Sequence, residues 1–201
     1  MLEIYQPSED SYLLSEAIKK LKHLKNKKVL EIGSGSGFQL QILKDLNVKN
    51  VFASDINPNA VKQCKSLGFK CVQSDLFENI KNATLTGVQK KSRPSMLRGR
   101  SARKIKGFPR FDLIIFNPPY LPKDTNEPET SALATTGGKK GSEIINRFLK
   151  QAKNYLKKNA KIILLTSSLT KNINWQKYKR KKIAQKSLFF EKLYVWEITL
   201  E

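Results

Sequence analysis

Three short apolar runs near the start of the chain each stop on a glycine or an acidic residue, with helical stretches between them. Lys27-Lys28-Val29-Leu30-Glu31-Ile32 runs into Gly33-Ser34-Gly35-Ser36-Gly37, Val51 to Ser54 ends at Asp55, and Lys70 to Gln73 ends at Ser74-Asp75. Gln39 to about Leu46 reads as the first intervening helix. Pro58, well placed in a first turn, opens the second, and Gly68 closes it. The order strand–helix–strand–helix–strand points to a parallel sheet with helices packed on both faces. In such sheets ligands bind beyond the carboxyl ends of the strands. The glycines and both aspartates fall there.

The rest of the chain extends the pattern. Ser11 to His23 carries Leu13, Leu14, Ala17, Ile18 and Leu21 on one helical face. Phe111 to Phe116 predicts a fourth strand, ending at Asn117, and Lys161 to Thr166 a fifth. Ser142 is placed to cap a helix from Glu143 to about Leu156. Trp175 to about Lys186 is expected to be helical, with Phe189 to Phe190 and Leu193 to Thr199 forming a closing antiparallel pair. A chain of 201 residues has room for one domain with a substantial core, expected to span residues 1–201.

Thirty-eight Lys and Arg face 17 Asp and Glu, a formal charge of +21. Such a surface attracts RNA, ribonucleoprotein or an acidic partner protein, and a lysine-biased proteome produces it equally well. Residues 84–110 are distinct: nine basic residues, no acidic one, and Gly87, Pro94, Gly99, Gly107 and Pro109. They read as a basic, mobile insertion that either contacts RNA or is simply solvated. Cys64, Cys71 and the single His23 cannot supply a zinc cluster, so no metal is expected, and the thiols read as reduced and buried. No signal-peptide pattern or membrane-length apolar run occurs, so a soluble cytoplasmic protein without a membrane partner is expected.

The residues at the strand ends can do specific chemistry. Gly33, Gly35 and Gly37 permit a tight turn and close approach of backbone to a ligand; their G-x-G-x-G order, preceded by Glu31, suits the aminoacyl part of a nucleoside ligand without requiring a phosphate. Asp55 can accept from ribose hydroxyls and Asp75 from an adenine amino group, though either could instead cap a helix. Asn117-Pro118-Pro119-Tyr120 is the sharpest feature. The Asn carbonyl and the Pro118 carbonyl can accept both hydrogens of a target NH2, the prolines stiffen the loop, and Tyr120 offers a flat face to a planar amide or base.

Glu31 to Gly37, Asp55-Ile56-Asn57-Pro58, Asp75-Leu76-Phe77 and Phe111-Asp112-Leu113 through Tyr120 together resemble the class I methyltransferases that methylate glutamine in translation termination factors (HemK/PrmC-like). Tyr5-Gln6-Pro7-Ser8-Glu9-Asp10 and Gly137-Gly138-Lys139-Lys140-Gly141 resemble segments of the short archaeal and eukaryotic branch. The resemblance implies a Rossmann-like α/β fold, a mostly parallel seven-stranded sheet with a C-terminal antiparallel pair. It implies S-adenosylmethionine as cofactor, held by Tyr12, Glu31, Gly33, Ser34, Gly35, Gly37, Asp55, Ile56, Asp75, Leu76 and Asn117. Asn117, Pro118 and Tyr120 would be catalytic, and Pro7, Glu9, Asp10, Asn117, Pro119 and Tyr120 would meet the acceptor. The acceptor would be the side-chain amide of the Gly-Gly-Gln glutamine of a termination factor. A small zinc-binding, Trm112-like activator would add a strand to the sheet, with Val51 to Ala53 as its docking edge. The interval from Asp75 to Phe111 is longer than the family usually has. An RNA or DNA base methyltransferase acting on an exocyclic amine would use nearly the same chemistry; a non-enzymatic RNA-binding protein on the same fold would not need Asn117, Asp55 and the glycine loop intact.

Overall fold

Val29, Leu30 and Ile32 are almost wholly buried because the strand they form lies in the middle of the sheet. In the computed structural model, which describes residues 3–80, 109–123, 128 and 134–201, this strand is β1 (Lys28–Ile32). It pairs in parallel with β2 (Asn50–Asp55) on one side and β4 (Phe111–Phe116) on the other. β3 (Lys70–Gln73) lies outside β2, and β5 (Leu156–Ser167) outside β4. Two antiparallel strands, β6 (Tyr178–Ser187) and β7 (Lys192–Leu200), complete seven, in the order β3-β2-β1-β4-β5-β7-β6. Residues 84–108 of the basic stretch lie outside the described residues.

Alternation along the strands divides the core into two layers. Helices α1 (Glu9–Lys19), α2 (Phe38–Asp45) and α3 (Pro58–Ser66) cover one face, setting Leu14, Ile18, Leu40, Leu43 and Val61 against Val29, Leu113, Ile115 and Ile163. Helix α4 (Glu143–Ala152) covers the other, where Ile145, Phe148 and Leu149 meet Leu30, Ile32, Ile114, Phe116 and Ile162. Phe77, just past β3, stacks between Phe148 (ring centroids 5.6 Å) and Tyr155 (4.4 Å), tying the turn after β3 to this layer. Burying such a ring contributes about 2–3 kcal/mol.

Three segments differ from the reading of the sequence. Tyr178–Ser187 is a strand, not part of a helix. Its Lys, Arg, Ala and Gln suit a helix by intrinsic propensity, but pairing along the whole length of β7 prevails. Its lysines suit a sheet edge, where charge discourages further pairing. Phe189 and Phe190 accordingly sit in the connection, not in a strand. β5 begins at Leu156, five residues before the expected Lys161, because Leu156 already pairs with Phe111 before a register shift; helix α4 ends correspondingly early. Finally, Val51 to Ala53 is no edge: β2 is paired on both sides, and β3 occupies that border. Cys64 and Cys71 are buried free thiols, as expected. Among the described residues no helix is long and apolar enough to cross a membrane, and no cluster of metal-ligating side chains occurs.

Candidate active site

The chain leaves β1 for one face of the sheet and reaches β4 only after crossing back, so the carboxyl ends of β1 and β4 stand side by side at a topological switch point. Ile32 is in register with Phe116, which brings Gly33 beside Asn117. Gly33 has φ +69°, and a Cβ there would lie 3.4 Å from the Phe116 ring and 3.8 Å from the Asn117 carbonyl oxygen. Its N–H and that of Ser34 both donate to the Ser54 carbonyl, at 2.8 and 3.1 Å, locking the loop to the end of β2. The contacts of such a Cβ are ordinary ones, so it is the left-handed backbone rather than lack of space that favours glycine here.

A cleft of about 200 Å³ opens above these strand ends. Glu31, Gly33, Ser34, Gly35, Asp55, Ile56, Asp75, Leu76, Asp10, Asn117 and Pro119, all expected from the sequence, line it. Asp55 accepts from the Gly35 N–H (2.8 Å) through one carboxylate oxygen and from the Asn57 N–H (2.8 Å) through the other. These bonds hold its pKa down, but burial outweighs them and leaves it above the usual carboxylate range. Asp55 is not the helix cap: Asn57 caps α3 by accepting from the Asn59 N–H at 2.9 Å. Asp75 is paired with Arg147 of α4 at 2.8 Å, so one of its oxygens is already engaged. Glu31 is 3% exposed, and its Oε2 has no hydrogen-bond partner among the described residues. Desolvation, with smaller contributions from Cys64 and Asp55, raises its pKa well above the ordinary value.

At the acceptor end, Asn117 Nδ2 donates to Asp10 Oδ2 at 3.1 Å, and the Tyr5 hydroxyl donates to the same carboxylate at 2.9 and 3.0 Å. Asn117 Oδ1 is buried and has no partner among the described residues. The entry segment is tied across the glycine loop: Asn57 Nδ2 donates to the Glu3 carbonyl at 2.8 Å, and a Cβ on Gly35 would lie 3.6 Å from the Tyr5 carbonyl. The segment around Gly137 cradles the Asn-Pro-Pro-Tyr loop. The Gly137 N–H donates to the Leu121 carbonyl at 2.9 Å, and a Cβ on Gly137 would come within 2.6 Å of the Pro119 carbonyl oxygen.

Six expected residues do not line the cleft. Glu9 forms an ion pair with Lys186 instead. Tyr12 is 49% exposed, its ring edge-on to Phe38 at 5.6 Å, and Phe38 does line the cleft. Gly37, with φ +85°, precedes α2 and packs toward Leu67. Pro7 lies outside, Pro118 is buried beneath, and Tyr120 is half-buried behind Asn117, its phenol pKa raised by burial and then by Asp10. The sequence reading missed Tyr5, Phe38, Gln39, Ser74 and Arg147. Tyr5 lay within the entry segment and Gln39 just past the glycine loop, so both could have been assigned; Arg147 had no local signal.

The cleft fits S-adenosylmethionine. A buried carboxylate oxygen without a partner among the described residues suits a cation, the glycine loop admits a ligand against the backbone, and Asp55 is fixed as an acceptor. A family model described as Eco57I restriction-modification methylase matches residues 49–194. A Methanocaldococcus jannaschii protein, described provisionally as a protein N5-glutamine methyltransferase, is 39% identical over 84% of this chain and 74% of its own. The catalytic subunit of the eRF1 methyltransferase of Schizosaccharomyces pombe is 30% identical over 77% of this chain and 68% of its own. In fold, the chain is similar to M. capricolum TrmK in complex with S-adenosylhomocysteine (TM-score 0.56, 13% identity, covering 98% of this chain and 70% of that one).

Fold and cleft together define a class I S-adenosylmethionine-dependent N-methyltransferase. The chain belongs to the methylase family that the model describes and, within class I, to the HemK/PrmC-like release-factor glutamine methyltransferases.

Proposed function

We propose that this protein, acting as one catalytic domain, methylates the side-chain amide nitrogen of the glutamine in the Gly-Gly-Gln motif of a translation termination factor. Asn117 Oδ1 carries the proposal: a buried acceptor without a partner among the described residues, on a side chain whose nitrogen is committed to Asp10. A carboxylate only accepts, so the Asn117 amide cannot turn over without losing that bond, and its oxygen is held away from Asp10. The substrate NH2 gives one hydrogen to this oxygen and the other to the Pro118 carbonyl, which proline retains although it lacks an N–H. Both acceptors stabilise the positive charge that develops on the nitrogen, and both fix its approach. When bound, the cofactor would supply the electrophilic methyl of its sulfonium: the N–CH3 bond forms as the S–CH3 bond breaks, S-adenosylhomocysteine leaves, and the nitrogen gives up one proton to solvent. Pro119 confines the planar amide, and Tyr120, behind Asn117, backs the loop that holds it. On the cofactor side Asp55 takes the ribose hydroxyls, Asp75 and Leu76 border the adenine, and Glu31 faces the ammonium of the aminoacyl end.

Glu31 gives this arrangement a pH signature. Its raised pKa means that the cofactor-free protein keeps the carboxyl protonated at pH values where an ordinary glutamate is ionised. A cation bound beside it favours the ionised form, so binding releases a proton and strengthens as pH rises toward the Glu31 pKa. The sign for folding is opposite: a raised carboxyl pKa makes stability fall as pH rises above the ordinary glutamate range. Calorimetry of S-adenosylmethionine binding in buffers of different ionisation enthalpy is expected to show this release. Its persistence in Glu31→Gln would assign the proton to another group.

A small zinc-binding activator is part of the reading, with β3 as its docking edge: β3 is paired on one side only among the described residues. The basic 84–110 stretch suits contact with RNA near the substrate, and free buried thiols suit a cytoplasmic setting. Incubation with radiolabelled S-adenosylmethionine, with and without activator, is expected to label the glutamine peptide of the termination factor and not total RNA. Label confined to RNA, with the factor inert even when activator is present, would replace this reading with base methylation, which the charge of +21 favours.

A further inference from the structure

Phe189 and Phe190 are 101% and 95% exposed, far more than any other large apolar residue among those described. They form the connection between β6 and β7, which the Leu188 N–H closes by donating to the Glu191 carbonyl at 2.8 Å. Their rings lie 6.5 Å apart. The turn does not call for them, since short hairpin connections favour glycine, asparagine and aspartate. Nor does the core, because both rings are fully solvated.

Their place in the fold is specific. β5 and β4 are parallel, so the end of β5 at Ser167 and the Asn117 loop share one rim of the sheet. Ser167 Oγ donates to Glu191 Oε2 at 2.6 Å, and the Ser167 N–H donates to Thr170 Oγ1 at 3.3 Å. Thr170 Oγ1 in turn donates to the Tyr120 carbonyl at 2.9 Å. On the other limb of the hairpin, Lys186 is ion-paired with Glu9, the neighbour of Asp10. The charge of Glu191 also reaches the phenols of Tyr5 and Tyr120. Polar bonds therefore clamp the hairpin to both flanks of the acceptor end of the cleft, and its aromatic tip projects from that rim.

We infer that Phe189 and Phe190 anchor the acceptor protein, seating in an apolar depression beside the loop that carries the methylated glutamine. Buried aromatic anchors commonly dominate the energetics of protein interfaces, and this pair stands next to the groups that receive the amide. The tip carries an acid, Glu191, bonded by Ser167, and of the two lysines that flank it Lys186 is engaged by Glu9 while Lys192 is exposed. One acid and one exposed lysine leave the tip without the cluster of free cations that a phosphate backbone calls for beside stacking rings, and suit an apolar protein surface better. The inference rests on the proposed protein acceptor.

The test compares the full chain with Phe189→Ser/Phe190→Ser and with Phe189→Leu/Phe190→Leu, each with its activator and the intact termination factor. The serine variant is expected to raise KM for the factor by about tenfold or more, while kcat and the KM for S-adenosylmethionine stay within about twofold. The leucine variant is expected to keep most of the affinity. An unchanged KM for the factor, or a fall in kcat alone, overturns the anchor. So does sedimentation showing a wild-type dimer that the serine variant dissolves, since a second copy then occupies the tip. Absence of label in the factor with the wild-type protein overturns the protein-acceptor reading itself, before any variant is compared.

Discussion

Asn117→Ala is expected to lower kcat for methyl transfer by about a hundredfold to a thousandfold while leaving S-adenosylmethionine affinity within about threefold. The substitution removes the buried acceptor oxygen and one donor to the Asp10 carboxylate, which keeps Tyr5 and Ser11 as side-chain donors. The chemistry loses both its orientation and its charge complement, whereas the contacts of the cofactor with Asp55 and the glycine loop are untouched. Asn117→Asp is the more informative companion. It keeps an acceptor but sets a second carboxyl group 3.1 Å from Asp10, at the distance the native amide occupies. Two carboxylates that close resist double ionisation, so this variant should regain activity as pH falls and one proton is shared between them. Single-turnover rates across pH, beside equilibrium cofactor binding, make the comparison. An alanine variant as fast as the native enzyme would remove Asn117 from the chemistry.

Gly137→Ala is expected to cost about 1–3 kcal/mol of stability and about a hundredfold in kcat, an unusual outcome for one methyl group. The added Cβ would lie 2.2 Å from the Gly141 carbonyl oxygen and 2.6 Å from that of Pro119, both backbone atoms that cannot rotate away. Relief requires the two loops to separate. Pro119 and Tyr120 would then shift relative to Asn117, and a displacement near 1 Å suffices for a loss of this size. Gly68→Ala is the control. Its φ is positive (+87°), which that of Gly137 is not, and its Cβ would meet nothing within 4 Å, so backbone strain alone applies there. Thermal melts and kcat measured on both variants separate the effects; a kcat loss at Gly68 as large as that at Gly137 would show that general destabilisation, not loop displacement, dominates.

What could be read from the sequence follows the range over which each signal acts. The parallel strands and the ends of α3 were legible because apolar runs, Pro58 and Gly68 act within a few residues. Gly33, Asp55 and Asn117 were legible for the same reason: each terminates an apolar strand, and sheet geometry then gathers strand ends at one rim. β6 was misread because Lys179 to Lys182 and Ala184 to Lys186 have no strand signal of their own; their structure comes from β7. The aim of Asn117 was hidden because it depends on Asp10, 107 residues away. The Asp75–Arg147 pair was hidden likewise, crossing 72 residues. Glu9 and Asp10, adjacent in sequence, part company in the fold: the first turns to Lys186, the second to Asn117.

The passage from β3 to β4 runs from the border of the sheet to its centre, bridging about 14 Å, three strand spacings. Far fewer residues than the chain places between Gln73 and Phe111 could span it. Phe77 and Ile80 secure the first part of the passage in the core. Beyond them, added length is inexpensive, since the entropy of closing a loop grows only with the logarithm of its length, about 0.6 kcal/mol per doubling. The two strands keep their register whatever lies between, because parallel partners β2, β1 and β5 hold them independently. This crossover is thus a place where evolution can lengthen or shorten the chain without moving Asp55, Gly33 or Asn117, and where an engineered insertion should be tolerated best.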